Sequence, residues 1–179
     1  MLVHGASGGV GVAAVQLARG MGLRVIGTAG TLAGEELVKN AGAHHVFNHR
    51  EDDYICKVKK AIGEGGADVV IDNVAYKNLK KDLEVVGGGG RIALVGGIGE
   101  IQINPLELLL REVVIAGVFF FRISNKQLFQ TRSAIQAGID AGWICPQIWQ
   151  EFPLGKASEA HDLLASGSGA RGKIILTLD

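Results

Sequence analysis

The sequence predicts an α/β domain built on a doubly wound, six-stranded parallel sheet, and three observations carry that prediction. Six short apolar runs alternate with helix-patterned segments from the first residue onward. Glycines gather where those runs end: there are 27 among 179 residues, about twice the usual share of ~7%. A glycine-rich turn, Gly5-Ala6-Ser7-Gly8-Gly9-Val10-Gly11, joins the first run to the first helix.

Leu2-Val3-His4 reads as the first strand, and Val10 to Gly20 places Val12, Val15 and Leu17 at helical spacing around small alanines. Arg24 to Thr28 is the second strand, and Leu32 to Asn40 a helix stopped at Asn40-Ala41-Gly42. Val46-Phe47-Asn48 is the third strand, followed by a helix from Asp53 to Ile62. Val69 to Asp72 makes the fourth. A helix from Asn78 to Val86 then runs into four glycines, Gly87 to Gly90, and Arg91 to Val95 is the fifth strand, ending in Gly96-Gly97. After a helical patch at Leu106–Arg111, Val113 to Phe121 is the sixth run. Such alternation makes βαβ units, whose right-handed crossovers cover both faces of the sheet with helices. The result is a Rossmann-type domain with its ligand crevice at the carboxyl ends of the strands.

The tail changes character. Lys126 to Ala141 reads as one longer helix, Pro146 and Pro153 bracket an edge strand at Ile148–Phe152, and Lys156 to Ser166 is another helix. Gly167 to Gly172 is a loop before a last strand, Lys173 to Leu178. The division expected is a dinucleotide-binding domain at 1–145 and a tail at 146–179.

Eighteen basic residues balance eighteen acidic ones. This balance argues against a general attraction for nucleic acid or an anionic membrane. Cys56 and Cys145 show no paired spacing, so a reducing cytoplasm is the expected home. The N-terminus reads neither as a signal peptide nor as a span.

The chemistry rests on the turn. In the fingerprint G-x-G-x-x-G the second glycine lets backbone approach a pyrophosphate and the third lets the helix pack on the sheet. Here Gly8 and Gly11 hold those places, after Ser7 and around Gly9 and Val10, and the anion would sit on free N–H groups at the helix start. An acid gripping a ribose 2′-hydroxyl is expected about 20 residues on. That place reads Gly27-Thr28-Ala29-Gly30-Thr31, with no acid, which disfavours NAD and admits the 2′-phosphate of NADPH. Thr28, Thr31, His49 or Arg50 would receive that phosphate; the alternative for Asn48-His49-Arg50 is a solvated loop. Gly96 and Gly97 either leave room for a flat ligand or form a tight turn. Asp72-Asn73-Val74 either lines the crevice or caps the next helix. The histidines form no metal-type spacing, so no metal is expected. Phe119-Phe120-Phe121 fits sheet core or an interface better than a nicotinamide contact.

Through the turn, Gly27–Thr31 and Phe47-Asn48-His49-Arg50-Glu51, the chain resembles the zinc-independent quinone oxidoreductases of the medium-chain dehydrogenase/reductase superfamily, nearest the zeta-crystallin branch. The likeness continues through Gly138–Trp143, Pro153-Leu154, Ala160-His161 and Ser168–Lys173, covering essentially the whole chain. The resemblance implies an NADPH-dependent reductase of quinones or enone-like acceptors, active without zinc. By this similarity Gly8, Gly9, Val10 and Gly11 hold the pyrophosphate, and His49 with Thr28 faces the 2′-phosphate. Gly96, Phe119 and Phe121 lie near the nicotinamide, and Arg171 or Gly172 approaches from the tail. Some relatives carry a lysine where this chain has Gly34, which leaves selectivity to the histidine. No catalytic acid/base pair is visible. In the family a catalytic domain precedes the first cofactor strand and the final strands complete it. Met1 stands at that strand here, so the substrate half is expected to be missing and the tail to expose apolar surface. A homodimer or larger homo-oligomer through strand six is also implied. Some relatives bind RNA, which the zero net charge does not support. The competing readings are an inactive NADPH-binding or dimerisation module and a crystallin-like structural protein.

Overall fold

The structure is a computed structural model describing residues 1–167, 169 and 171–178. Ser168 and Ala170, within the tail motif above, lie outside the described residues. Six strands, β1 (Leu2–Val3), β2 (Ile26–Ala29), β3 (His45–Asn48), β4 (Ala67–Asp72), β5 (Val86–Leu94) and β6 (Val114–Gly117), form one sheet in the order β3-β2-β1-β4-β5-β6. Every neighbouring pair is parallel. This order reverses between β1 and β4, the topological switch point at which open α/β sheets hold ligands.

Side-chain alternation along β1 shows how the two faces are filled. Leu2 points into an apolar cluster with Tyr54, Val58, Leu79, Leu83 and Ile92, under α3 (Tyr54–Ile62) and α4 (Ala75–Val85). Val3 points into the other, with Val15, Ala18, Val25 and Val38, under α1 (Gly9–Gly20) and α2 (Leu32–Asn40). A central strand buried on both faces reads as a continuous apolar run, which is why Leu2-Val3 is legible despite its shortness.

Three elements differ from expectation. The four glycines belong to β5 and not to a turn. Ala67 pairs with Val86 and Val69 with Arg91, so the glycines bulge out of register while the strand continues. α4 begins at Ala75, earlier than Asn78, because the Asp72 carboxylate accepts hydrogen bonds from Val74 N at 2.8 Å and Asn78 Nδ2 at 3.0 Å. β6 ends at Gly117, and Phe120–Arg122 form a 3-10 turn, so the aromatic triplet is not strand. A short α5 (Pro105–Leu109) precedes β6, and α6 (Asn125–Asp140) starts on a Ser124/Gln127 capping box.

The tail makes its own two-stranded parallel sheet from β7 (Ile148–Pro153) and β8 (Lys173–Thr177), linked through α7 (Ala157–Ala165). It docks on the glycine-rich turn. Gly172 N donates to Ser7 O at 2.8 Å. The Gln16 side chain donates to Cys145 O at 2.9 Å and accepts from Cys145 N at 3.1 Å. Ile148, Leu154, Leu164, Leu176 and Leu178 remain exposed. Among the described residues, no helix is long and apolar enough to cross a membrane.

Candidate functional site

The turn is built to present backbone. Gly5 carries a left-handed φ of 61°, open to glycine at no steric cost. Ala6 N donates to Thr28 O at 2.8 Å and Gly8 N to Gly5 O at 3.2 Å, which folds the loop over the end of β2. Gly11 abuts Gly5 O and the Ala6 backbone so closely that any Cβ there would collide with them. Gly8 is different: its φ of −73° suits any residue, and an added Cβ would meet nothing nearer than Gly5 O at 3.6 Å. Gly8 is therefore dispensable for the turn itself, while Gly11 is not.

α1 opens without a side-chain cap and with no acid in its first turn. The N–H groups of Gly9, Val10 and Gly11 have no carbonyl four residues back within the helix, so they keep their donor capacity for an outside acceptor. Together with the positive end of the helix dipole they suit a phosphate anion.

A cleft of about 240 Å³ opens in front of this turn. Gly5, Ser7 and Gly8 form its floor, Gly30, His49 and Arg50 one rim, and Asn73 and Val74 the other. Trp149, Leu163 and Leu164 close it from the tail side. Asn73 Nδ2 donates to His4 O at 2.8 Å, tying the ends of β1 and β4 together at the switch point. A Cβ on Gly30 would stand 2.7 Å from His49 Nε2, so glycine there lets the imidazole lie against the end of β2. Desolvation, then coupling to His4 and the positive charges of Arg50, Lys77 and Lys81, hold His49 below the usual imidazole range. An approaching phosphate supplies the charge that would reverse that shift.

Several expected contacts sit elsewhere. Thr28 is fully buried, with Oγ1 between His4 Nδ1 at 3.2 Å and Gly5 N at 3.4 Å. It props the turn from beneath and does not face a phosphate in the cleft, because β2 is buried on both faces. Thr31 caps α2, accepting from Gly34 N at 3.1 Å. Gly96 lies against the loop after β4, where a Cβ would be 2.5 Å from Asn73 O, and Gly97 lies beside Ala75. Their smallness serves backbone contact and not open space. Of the two roles weighed for Asp72-Asn73-Val74, Asp72 ties Val74 N and the Asn78 side chain at the start of α4 without capping a helix N–H, and Asn73 and Val74 line the cleft. Phe119 and Phe121 are exposed, with ring centroids 5.4 Å apart, and neither lines the cleft. Arg171 stacks over Trp149 at 5.4 Å, and Gly172 anchors the tail to Ser7.

Lys173 escaped the sequence reading. Its side chain crosses Gly9 so closely that a Cβ there would stand 2.6 Å from Lys173 Cδ and 3.0 Å from Nζ. A cation at a helix N-terminus is unfavourable unless an anion joins them. Its neighbours Arg171 and Gly172, in the Ser168–Lys173 stretch of the resemblance, are the sequence signals nearest to it, since the tail's return to the turn is a long-range event. A second, apolar groove of about 180 Å³ between α1 and α6, lined by Val12, Leu17, Ile135 and Ile139, is almost without polar lining to hold a dinucleotide. Among the described residues, no group of three or more His, Cys, Asp and Glu gathers as a metal site.

Comparison with known proteins agrees with this geometry. The family model described as "Zinc-binding dehydrogenase" matches residues 9–136. Quinone oxidoreductase of Homo sapiens is 49% identical over 178 residues, spanning 99% of this chain and 54% of that protein. The 2-haloacrylate reductase of a Burkholderia species is 30% identical, spanning 98% of this chain and 54% of that one. Among solved structures, Escherichia coli quinone oxidoreductase complexed with NADPH superposes with a TM-score of 0.84 at 26% identity, covering 97% of this chain and 56% of the other. An NAD-dependent alcohol dehydrogenase reaches 0.88 at 30% identity, covering 98% and 50%. The chain spans about half the length of the curated relatives it matches. It belongs to the zinc-binding dehydrogenase family.

Proposed function

We propose that this chain is the NADPH-binding part of an oxidoreductase that reduces quinones or enone-like acceptors without zinc. The observation that carries the reading is the cleft at the switch point, floored by Gly5, Ser7 and Gly8 just ahead of a helix with free N–H groups, and rimmed by His49 and Arg50 with no acid. When bound, the dihydronicotinamide supplies the hydride or electrons. Gly8 lets the pyrophosphate reach the N–H groups of Gly9, Val10 and Gly11, with Ser7 beside it, and Lys173 reaches over from the tail. His49 and Arg50, beside Gly30 and Thr31, receive the 2′-phosphate. Asn73 holds the far wall, with Gly96 and Gly97 packed behind it. Trp149 and Arg171 exclude water from the tail side. NADPH-complexed quinone oxidoreductase among the similar structures supports this cofactor.

The unit from 1 to 145 carries the cofactor, and the tail from 146 to 179 meets the substrate half present in longer relatives. β6 is the outermost strand, and an unpaired edge beside exposed Phe119, Phe120 and Phe121 favours self-association into a homodimer. Cys56 and Cys145 are free thiols, which fits a reducing cytoplasm.

The test is NADPH oxidation by the purified chain with an ortho-quinone. Turnover above the quinone blank supports the reductase reading. Saturable NADPH binding with no turnover would replace it with a binding module.

A further inference from the structure

Three ionisable side chains lie buried together beneath the glycine-rich turn, and the cofactor contacts proposed above use none of them. His4 follows β1, Asp72 ends β4 and Asp82 sits on α4; none is more than 1% exposed. His4 Nε2 stands 2.9 Å from Asp82 Oδ1. On its other side, His4 Nδ1 lies 3.2 Å from Thr28 Oγ1, and that oxygen lies 3.4 Å from Gly5 N.

One placement of hydrogens orders the row. Neutral His4 carries its hydrogen on Nε2, toward Asp82, and accepts at Nδ1 from the Thr28 hydroxyl. Thr28 Oγ1 in turn accepts from the Gly5 N–H. Burial supports the neutral ring, pushing His4 down to about 4. Asp72 Oδ2 and both Asp82 oxygens are buried with no hydrogen-bond donor, and His4 Nε2 meets Asp82 Oδ1 by close approach at 2.9 Å without hydrogen-bond geometry. Burial raises both carboxyls, and each acts on the other's titration. Neighbouring buried acceptors without a donor are reconciled by a proton between them.

We propose that Asp82, His4 and Thr28 form a positioning relay that fixes Gly5 of the glycine-rich turn, closed by one proton shared between Asp82 and Asp72. The other groups facing the relay are Lys81 on α4, Tyr54 on α3, edge-on to the His4 ring at 6.4 Å, and His49 at the end of β3. Loss of the shared proton to solvent sets two carboxylates against each other. Their repulsion displaces Asp82, then His4, and releases the Gly5 N–H. The consequence for affinity rests on the cofactor reading above, whereas the relay itself does not.

The test is amide hydrogen exchange of the whole chain, with protection at Gly5 taken relative to the intrinsic rate from about pH 5 to 9, alongside NADPH titration. Thr28→Val should lower Gly5 protection about tenfold at every pH and weaken NADPH about fivefold, and Thr28→Ser should restore both. In the wild type, protection should fall as pH rises through neutrality. Asp82→Asn, whose amide donates to Asp72 without a titrating proton, should remove that fall. Unchanged protection in Thr28→Val, or a wild-type pH profile in Asp82→Asn, overturns the relay. Absence of NADPH binding throughout overturns the cofactor reading, and the exchange profiles still decide the relay.

Discussion

Replacing Gly8 with valine separates what the turn needs from what a cofactor needs. The residue has an extended φ of −73°, so valine adopts the backbone without strain. The nearest atom to an added Cβ is Gly5 O at 3.6 Å, an ordinary contact. The fold should therefore persist, with a melting temperature close to that of the wild type. A branched side chain on the cleft floor instead stands where the pyrophosphate must approach the N–H groups of Gly9 and Val10. Two charge-assisted hydrogen bonds are each worth about 1.5–3 kcal/mol, so their loss weakens NADPH by at least about 100-fold. Gly11→Ala is the contrasting variant: its Cβ collides with Gly5 O and Ala6, so it should lower stability by about 1–3 kcal/mol. Fluorescence titration and thermal melts of both variants read the two effects independently. A folded Gly8→Val protein with wild-type NADPH affinity would refute the placement of the pyrophosphate.

Three further outcomes follow from the same geometry. Lys173→Ala should raise the NADPH dissociation constant about three- to tenfold and flatten its dependence on salt, with Lys173→Arg close to wild type; an unchanged constant and salt slope would remove Lys173 from the site. Burial raises Asp82 to about 7, against 3.8 for an ordinary aspartate, so the folded state holds a proton that the unfolded state has lost between those values. That group's contribution therefore falls as pH rises through the window, and Asp82→Asn, measured by urea unfolding, should gain stability relative to wild type by about 1 kcal/mol or more from pH 4 to 7. His4, lowered to about 4, acts in the opposite direction and is common to both proteins, so a difference that stays flat with pH would contradict the shared proton. Phe119→Asp combined with Phe121→Asp should shift the chain to monomer in sedimentation, and an unaltered assembly would argue against β6 as the contact.

How far the sequence could be read depended on the range of the interactions involved. The parallel sheet was legible because both-face burial leaves continuous apolar runs, and α1 because its small and branched residues recur at helical spacing. β5 was misjudged at its start because Gly87 to Gly90 carry no side-chain pattern; only pairing with β4 reveals them as a bulge. Thr28 was assigned to the cleft because alternation fails along a strand in which Ile26, Gly27, Thr28 and Ala29 are all buried. Its polar partners, His4 and Gly5, come from another strand and hold it inward. Asn73 and His49 line the cleft because the ends of β4 and β3 converge there in this topology. Lys173 and Trp149 come to the turn and cleft, and Asp82 to the buried row beneath them, through packing of distant elements, and none shows a local motif. The aromatic triplet drew attention by composition, but a 3-10 turn carries it outside the cleft.

The most direct test of the account is a fluorescence titration of the purified chain with NADPH and NADH, repeated for a His49→Ala, Arg50→Ala variant. Binding should saturate and favour NADPH by about tenfold or more, with the preference lost in the variant because the 2′-phosphate has lost its partners. Equal affinity for the two cofactors in the wild type would contradict it.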